Sequence, residues 1–415
     1  MGASKVTDSI DKSGGESGER GSSLGLLGTM LRAPKALQIE RGYRHTLQEI
    51  CQQPDSWEQT ARSVAPRLAE LRAALSGCDA VVLTGSGSSQ FACECVHPML
   101  QAALGVPVQT IGSGDVLLNG RAALPPGRLA LVSLARSGNS PESVGVVELL
   151  QEIAPGTQHV VVTCNAGGKL ATLAANDARV VKVVLDERTH DRSLVMTSSF
   201  TNMVVATRGL ACPDADRYSR CADALAASGR SLLTKYAGVL REVAAGPFRK
   251  AVYLGSGCRY GSAREGALKV LEMTDGRVFS FSDTCLGLRH GPMCAVDGET
   301  LVVMLLSSDP LRRAYEADLL DELKRKRIGW RRVIVGRDVP SELLLDNDIA
   351  VEFENAAELE DDDLAVLDVL VGQTLGFFRS LAEGLQPDEP SKSGVISRVV
   401  NDFKIHRRGE QERKA

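Results

Sequence analysis

The two halves of this 415-residue sequence repeat one another at a constant offset. Gly85-Ser86-Gly87 in the first half is matched by Gly255-Ser256-Gly257 in the second, and Leu131-Val132 is matched at the same offset by Leu301-Val302. Solenoid repeats have periods of only about 20–50 residues, so a unit as long as this one is a duplicated domain. The sequence therefore predicts two copies of one fold, and the chain is long enough to build a hydrophobic core for each.

Short runs of β-branched and aliphatic residues alternate with helical patterns in both halves. This alternation is typical of βαβ units, in which helices cover both faces of a parallel sheet. We therefore predict an α/β protein of two tandem domains, each a five-stranded parallel sheet flanked by helices in a flavodoxin-like three-layer sandwich. The predicted strands are 80–84, 106–111, 129–134, 159–163 and 180–185, then 250–255, 277–281, 300–306, 332–335 and 349–353.

The segments outside the repeats differ in composition. Residues 1–23 are rich in glycine and serine and bury too little apolar surface to fold, which predicts a disordered tail. The other predicted units are an N-terminal helical segment at 24–75, interrupted near Pro54 and Pro66, a first domain at 76–225, a second domain at 226–385 and a C-terminal tail at 386–415.

Charge and composition argue against several kinds of partner. The chain has 48 Lys and Arg against 52 Asp and Glu, so no overall basic field attracts nucleic acid. No run approaches the ~18 consecutive apolar residues of a membrane span, and Asp8 and Asp11 stand where a signal peptide is positive. The ten cysteines form no CxxC pair. We expect a cytoplasmic protein without metal or cofactor that binds neither nucleic acid nor membrane.

Two hydroxyl-rich loops follow the first and third predicted strands. They read Gly85-Ser86-Gly87-Ser88-Ser89 and Arg136-Ser137-Gly138-Asn139-Ser140, and a predicted helix follows each. Either loop alone is equally typical of an ordinary strand-to-helix turn, and neither is a P-loop. Together they meet at the crevice where open parallel sheets bind ligands, with serine hydroxyls and free N–H groups as donors. The pair predicts a phosphate monoester held by Ser88, Ser89, Arg136, Ser137 and Ser140, with Gly87 and Asn139 beside it.

Four longer motifs carry a resemblance to a known family. They are ARSGNSPES at 135–143, MTSSFTNM at 196–203, REGALKVLE at 264–272 and GLRHGP at 287–292. With these motifs in this order, the chain resembles the tandem sugar isomerase (SIS) domain proteins from about residue 45 to 400. It is most similar to the AgaS group of tagatose-6-phosphate ketose/aldose isomerases and galactosamine-6-phosphate deaminases. The isomerase half of glucosamine-6-phosphate synthase is similar as well.

The resemblance implies a role for several side chains. Glu272 matches the carboxylate that moves a proton between sugar carbons, and Lys269 lies three residues earlier on the same predicted helix face. His290 matches a histidine that acts on the sugar ring from the neighbouring subunit. Lys392 matches a lysine of the C-terminal tail, and the motif around Ser198 implies substrate binding.

Each of these roles has a plainer alternative. A Lys269–Glu272 pair alone is typical of a surface salt bridge worth at most about 1 kcal/mol. His290 alone is compatible with a loop histidine that caps a helix, and Lys392 with an exposed linker lysine. At the second loop, Ala135 stands where the synthase has a serine, so Arg136 is expected to take over as a phosphate donor.

The resemblance implies an enzyme that converts an amino-sugar 6-phosphate, with galactosamine-6-phosphate as first candidate, to a ketose 6-phosphate and ammonia. Three alternatives stay open: an aldose–ketose isomerase of the tagatose-6-phosphate type, a fructosamine-6-phosphate deglycase and a non-catalytic phosphosugar sensor. A transcriptional sensor would carry a helix-turn-helix module, and residues 1–75 contain no basic recognition helix. A homodimer or larger homo-oligomer with shared active sites is also implied.

Overall fold

Two parallel sheets of five strands each form the framework of the protein. The computed structural model describes residues 25–173, 177–400 and 404–406, so the predicted tail at 1–23 lies outside the described residues. The ten predicted strands are present, each end within two residues of its predicted position. The first sheet contains β1 (Ala80–Thr84), β2 (Val108–Thr110), β3 (Leu129–Ala135), β4 (Gln158–Thr163) and β5 (Val180–Val184). The second contains β6 (Lys250–Leu254), β7 (Phe279–Asp283), β8 (Thr300–Leu306), β9 (Arg331–Gly336) and β10 (Ile349–Glu352).

Both sheets have the same strand order. It is β2-β1-β3-β4-β5 in the first sheet and β7-β6-β8-β9-β10 in the second, with every neighbouring pair parallel. This is the flavodoxin-like order, so the predicted fold class is confirmed. Strands β3 and β8 are buried along their whole length because helices cover both faces of each sheet. That double burial explains why both strands are almost unbroken aliphatic runs.

Helices precede, cover and connect the two sheets. Before the first sheet lie α1 (Gly25–Leu31), α2 (Lys35–Glu40), α3 (Arg44–Cys51), α4 (Gln53–Val64) and α5 (Leu68–Leu75), and Pro54 and Pro66 stand at the breaks on either side of α4. Around the first sheet lie α6 (Ser88–Glu94), α7 (His97–Leu104), α8 (Ser113–Asn119), α9 (Pro141–Ile153) and α10 (Lys169–Thr172). They are followed by α11 (Ser198–Arg208), α12 (Ala215–Ala244), α13 (Cys258–Met273), α14 (Pro310–Lys326) and α15 (Ala365–Ala382).

The two repeats share one hydrophobic core. A continuous buried cluster includes Val132 of β3, Val303 of β8 and Phe377 of α15, whereas separate clusters cover the outer face of each sheet. The 30-residue helix α12 also contributes to this core, and the predicted boundary after residue 225 falls inside it. Because the core is shared, loops of one repeat lie against helices of the other.

Helix α13 of the second repeat packs closely on helix α6 of the first, and Gly261 allows the approach. A Cβ atom at this position would lie 2.7 Å from the carbonyl oxygen of Phe91 and 2.7 Å from the amide nitrogen of Cys95. Arg264 lies over the Phe91 ring, 4.1 Å from its centroid, and pairs with Glu94. This packing places α13 against the first predicted phosphate loop.

Residues Asp361–Ala382 are the one described helical segment long and apolar enough to cross a membrane. In the folded protein 94% of their 18-residue apolar window is buried. That burial is the pattern of a core helix, and α15 packs mainly against α13 and α12.

Candidate active site

The first predicted phosphate loop joins β1 to α6 through a glycine in the left-handed region. Gly87 has φ +56° and ψ −127°, where a side chain would be strained, and α6 begins at Ser88. Ser88 and Ser89 are buried in the first turn of this helix. Gly257 repeats the same conformation in the second half, with φ +59° and ψ −134°. The loop shape is therefore built into both repeats.

The second predicted phosphate loop lies beside the first, because β3 pairs directly with β1. Helix α9 begins at Pro141, and the loop residue Ser140 precedes it. The buried Ser137 hydroxyl accepts a hydrogen bond from the backbone N–H of Asn139 at 3.3 Å. The side-chain oxygen of Asn139 in turn accepts one from the backbone N–H of Lys169 at 2.9 Å. The two loops meet at the carboxyl edge of the first sheet.

Arg136 turns away from the loop that it begins. Its guanidinium donates to the backbone oxygen of Leu194 at 3.1 Å and to that of Arg398. Burial lowers the pKa of Arg136, and the nearby carboxylates, Glu272 among them, only partly offset this effect. The expected use of Arg136 as a substitute phosphate donor is not what its hydrogen bonds indicate: it ties the C-terminal segment to this edge of the sheet.

Three charged side chains on α13 form the centre of the site. The Lys269 ammonium lies 2.5 Å from a carboxylate oxygen of Glu272 and 3.2 Å from one of Glu265. It also donates to the hydroxyl of Ser88, across the repeat boundary, at 3.3 Å. Lys269 and Glu265 are fully buried, and the Glu272 side chain is 23% exposed. We call these residues the Glu-Lys-Glu triad.

Burial of the triad rules out the alternative of a surface salt bridge. Burial raises the pKa of Glu265 to about 7, against the lowering effect of Lys269. Burial alone would lower the pKa of Lys269, but the two carboxylates outweigh it and raise the pKa. The lysine is therefore charged near neutral pH, and Glu265 lies close to its titration midpoint. Such a cluster is suited to proton transfer at its one accessible member, Glu272.

His290 is exposed and lies far from Glu272 within one chain. It ends the short 3-10 turn Gly287–His290, which follows the carboxyl end of β7. Helix α13 runs antiparallel to the strands, so Glu272 in its last turn lies near their amino ends. The five residues of β7 alone span about 16 Å. One chain therefore does not bring the imidazole to the triad.

The segment that carries the predicted tail lysine is anchored on both sides. We call residues 386–400 the C-terminal strap. Near its start, the Asp388 carboxylate accepts hydrogen bonds from the backbone N–H and the hydroxyl of Thr46, at 2.7 and 2.8 Å. Near its end, the carbonyl of Arg398 accepts from Arg136. Both anchors belong to the first-repeat side of the protein.

Lys392 lies on the exposed turn of this strap, between the two anchors. The turn is closed by a hydrogen bond from the Gly394 N–H to the Ser391 oxygen at 3.1 Å. The lysine side chain itself is exposed. The strap thus brings the turn to the edge of the first sheet and leaves the lysine side chain exposed to solvent.

Ser198 is wholly buried at the start of α11. Its hydroxyl donates to the carboxylate of Asp191 and accepts from the amide of Gln52 at 3.1 Å. The same carboxylate accepts the backbone N–H groups of Thr197 at 2.8 Å and Ser199 at 2.9 Å, which caps the helix. The structure therefore ties the Ser198 hydroxyl to the Asp191 carboxylate that caps the helix, rather than leaving it open to the crevice.

Comparison with known proteins decides the family. No family model matches the chain. The chain is 35% identical to the D-galactosamine-6-phosphate deaminase AgaS of Escherichia coli over 373 residues, which is 87% of this chain and 95% of that protein. This chain belongs to the AgaS family. The solved tagatose-6-phosphate ketose/aldose isomerase of Escherichia coli superposes with a TM-score of 0.79 at 32% identity, covering 88% of this chain and 96% of that one.

The predicted resemblance to the AgaS group is thus confirmed, and so is the more distant one to the synthase. The glutamine–fructose-6-phosphate aminotransferase of Pyrococcus horikoshii is 25% identical over 84% of this chain and 57% of that protein. Like its relatives, this AgaS-family chain is an enzyme of sugar-phosphate metabolism.

Sequence reasoning missed Glu265 of the triad. Glu265, Lys269 and Glu272 follow one another at i, i+4 and i+7, the spacing of one helix face. That spacing was the sequence signal that could have identified Glu265 as a member of the triad. The burial of Glu265 and Lys269 shows that the three side chains form one cluster rather than a solvent-exposed row of charges. Among the described residues, no group of three or more His, Cys, Asp or Glu side chains is arranged to hold a metal ion.

Proposed function

We propose that this AgaS-family enzyme converts galactosamine-6-phosphate to a ketose 6-phosphate and ammonia. The observation that carries the proposal is the contact between Lys269 of the second repeat and Ser88 of the first phosphate loop. This contact supports the proposal because Lys269 is paired with Glu272, to which we assign the proton transfer, and Ser88 belongs to the loop to which we assign the phosphate. A bound phosphate at this loop would hold the reactive end of a short sugar close to Glu272.

The reaction needs three proton transfers. We assign one to His290 and two to Glu272. Ring opening requires a proton at the ring oxygen, which we assign to His290 of a neighbouring subunit. Glu272 then removes the proton from C2 of the open aldehyde and returns it to C1, so that an enolamine becomes a C2 imine. Water adds to the imine, and ammonia leaves as the C2 carbonyl forms. Lys269 holds the Glu272 carboxylate in position through their ion pair, and we assign Lys392 on the strap to the developing negative charge on the oxygen at C1.

An aldose–ketose isomerase is the second candidate, because a solved relative bears that name. The same carboxylate would move a proton between C1 and C2 of tagatose-6-phosphate without loss of nitrogen. Ammonia release separates the two. We expect the protein to release one ammonia per galactosamine-6-phosphate consumed and to release less from glucosamine-6-phosphate. Conversion of tagatose-6-phosphate with no ammonia from either amino sugar would favour the isomerase, and no turnover of any of the three would refute both.

We further propose a cytoplasmic homodimer or larger homo-oligomer in which each site takes His290 from a neighbour. The position of His290 beyond the carboxyl end of β7, with Glu272 in the last turn of α13, supports this arrangement. Mixing two inactive variants tests it. A Glu272→Gln chain and a His290→Asn chain, unfolded and refolded together, should regain up to about a quarter of the wild-type activity, because half the dimers are mixed and each has one intact site.

The control for this experiment is each variant refolded alone, which should stay inactive. If His290 acted on the triad of its own chain, the mixture would be as inactive as its components. That result would remove the shared-site proposal and leave the deaminase proposal standing.

A further inference from the structure

The second repeat contains its own copy of both anion-binding loops. Gly255-Ser256-Gly257 follows β6, as Gly85-Ser86-Gly87 follows β1. Ser307-Ser308-Asp309 follows β8, at the positions that the offset between the repeats assigns to Ser137-Gly138-Asn139, and leads into the 17-residue helix α14. Two loops of this kind at the edge of a parallel sheet predict a second anion site.

Carboxylates of the chain itself lie on these second loops. Glu316 of α14 accepts the Ser307 N–H at 2.7 Å. Asp361, in the 3-10 turn before α15, accepts a hydrogen bond from the Ser308 N–H at 2.7 Å and one from the Ser307 hydroxyl at 2.8 Å. Two guanidinium groups lie beside it: Arg312 is 3.2 Å away, and the fully buried Arg259, whose main partner is Asp368 at 2.6 Å, is 3.5 Å away. Backbone amide, hydroxyl and guanidinium donors together are those that bind a phosphate group.

The hydrogen-bond donors around Asp361 stabilise its ionised carboxylate. Burial raises the pKa of its carboxyl, but Arg259 and the donors of Ser307 and Ser308 outweigh burial and hold the pKa below its usual value. The side chain is 11% exposed, so solvent has little access to the donors behind it. Asp361 is therefore a buried anion that satisfies an anion-binding loop.

The matching loop in the first repeat has no such occupant. The side chains of neighbouring residues that hydrogen-bond to residues 137–140 in the described part of the chain are neutral: Ser143 and Asn165. Asp191 is the first-repeat residue that corresponds to Asp361 at the same offset, and its carboxylate turns instead to the start of α11. The loop at 137–140 in the first repeat thus has no carboxylate bound to it among the described residues, whereas the loop at 307–309 in the second repeat binds Asp361.

We propose that the loops of the second repeat form a phosphate-type anion site that the chain occupies with its own Asp361 carboxylate. Each chain then binds one sugar phosphate, in the first repeat only. Loss of the Asp361 carboxylate exposes a second anion site that accepts inorganic phosphate.

The test uses the full chain with the substitution Asp361→Ala and inorganic phosphate as the probe. Without phosphate, we expect a lower Tm than in the wild type, because Ser307, Ser308 and Arg312 lose the carboxylate that accepts from them, although Arg312 keeps its contact with Asp362. Phosphate at saturating concentration should raise the Tm of this variant by about 2 °C or more beyond its effect on the wild type, since a ligand stabilises the state that it binds. Chloride at equal ionic strength should not.

Asp362→Ala is the matched control, because Asp362 also contacts Arg312, at 3.3 Å, but touches neither serine of the loop. Its response to phosphate should equal that of the wild type. If Asp361→Ala responded no more than Asp362→Ala, the proposal would be wrong. If Asp361→Ala did not fold, phosphate should restore its refolding, and refolding that is equally poor with and without phosphate would also refute the proposal.

Titration calorimetry with a sugar phosphate gives a test that needs no folding-sensitive variant. The wild type should bind one sugar phosphate per chain, and two would overturn the proposal. The added phosphate response of Asp361→Ala should persist when Ser137→Ala is introduced as well, because the new site lies in the other repeat. These results do not depend on ammonia release, so failure of the deaminase proposal would be recognised separately.

Discussion

The Glu272→Gln variant is expected to lose about 10³-fold in kcat while it keeps its affinity for sugar phosphates. The amide has the size of the carboxylate but takes up no proton, and removal of a positioned general base costs typically 10²–10⁴-fold. The phosphate loops lie on the other repeat and keep their geometry. The measurements are the rate of ammonia release and the Kd of an alditol 6-phosphate, which has the phosphate but no carbonyl and does not turn over.

The matched control is Glu70→Gln. Glu70 also forms an i,i+3 ion pair, with Arg67 at 2.9 Å, but its side chain is 51% exposed and lies on α5. This variant should keep wild-type kcat. A kcat for Glu272→Gln within tenfold of the wild type would show that another group transfers the proton.

The Lys269→Met variant is expected to be both inactive and destabilised by about 3–5 kcal/mol. Removing one partner of a buried ion pair leaves uncompensated charge behind, and Lys269 faces two carboxylates at 2.5 and 3.2 Å. Without the ammonium, Glu265 retains its proton to higher pH in the folded than in the unfolded state. The stability of the variant is therefore preserved at low pH and lost as pH rises through the raised folded pKa. Urea unfolding at pH 5 and pH 8 should show the larger loss at pH 8.

The double variant Lys269→Met/Glu265→Gln separates folding from chemistry. It removes the unpaired buried carboxylate together with the ammonium, so we expect it to recover most of the lost stability. Activity should stay absent, because the lysine that pairs with Glu272 and contacts Ser88 is missing. Recovery of activity along with stability would mean that Lys269 serves only the fold.

The fold could be read from the sequence because its determinants are local. Strands such as β3 and β8 are aliphatic runs whose length and flanking glycines set them apart from helices. Because the two halves match at a constant offset, the same strands and helices are expected in both halves. Some strand ends differ from their predicted positions, as at 277–281, where the strand runs over Phe279–Asp283. Exact ends depend on hydrogen bonds to the neighbouring strand.

The site was predicted in part. The two loops and the Lys269–Glu272 pair were identified from their residue types. Lys269 and Glu272 do lie on one face of a helix and form an ion pair, as their spacing predicted. The role expected of Arg136 differs from its position in the structure, because a guanidinium binds whichever carbonyl groups surround it, and those belong to Leu194 and Arg398. Glu265 was overlooked because a glutamate in a helix is ordinarily exposed.

The sequence alone therefore determined two flavodoxin-like sheets and the chemistry of the loops that follow their strands, since both depend on neighbouring residues along the chain. Only the tertiary structure decided which loop stays open and which charges are buried. Ser88 meets Lys269 across 181 residues of chain, and Asp361 meets Ser308 across 53. The first contact arises from packing the two repeats on one core and the second from packing α15 and its preceding turn on the second sheet, and no local pattern encodes either.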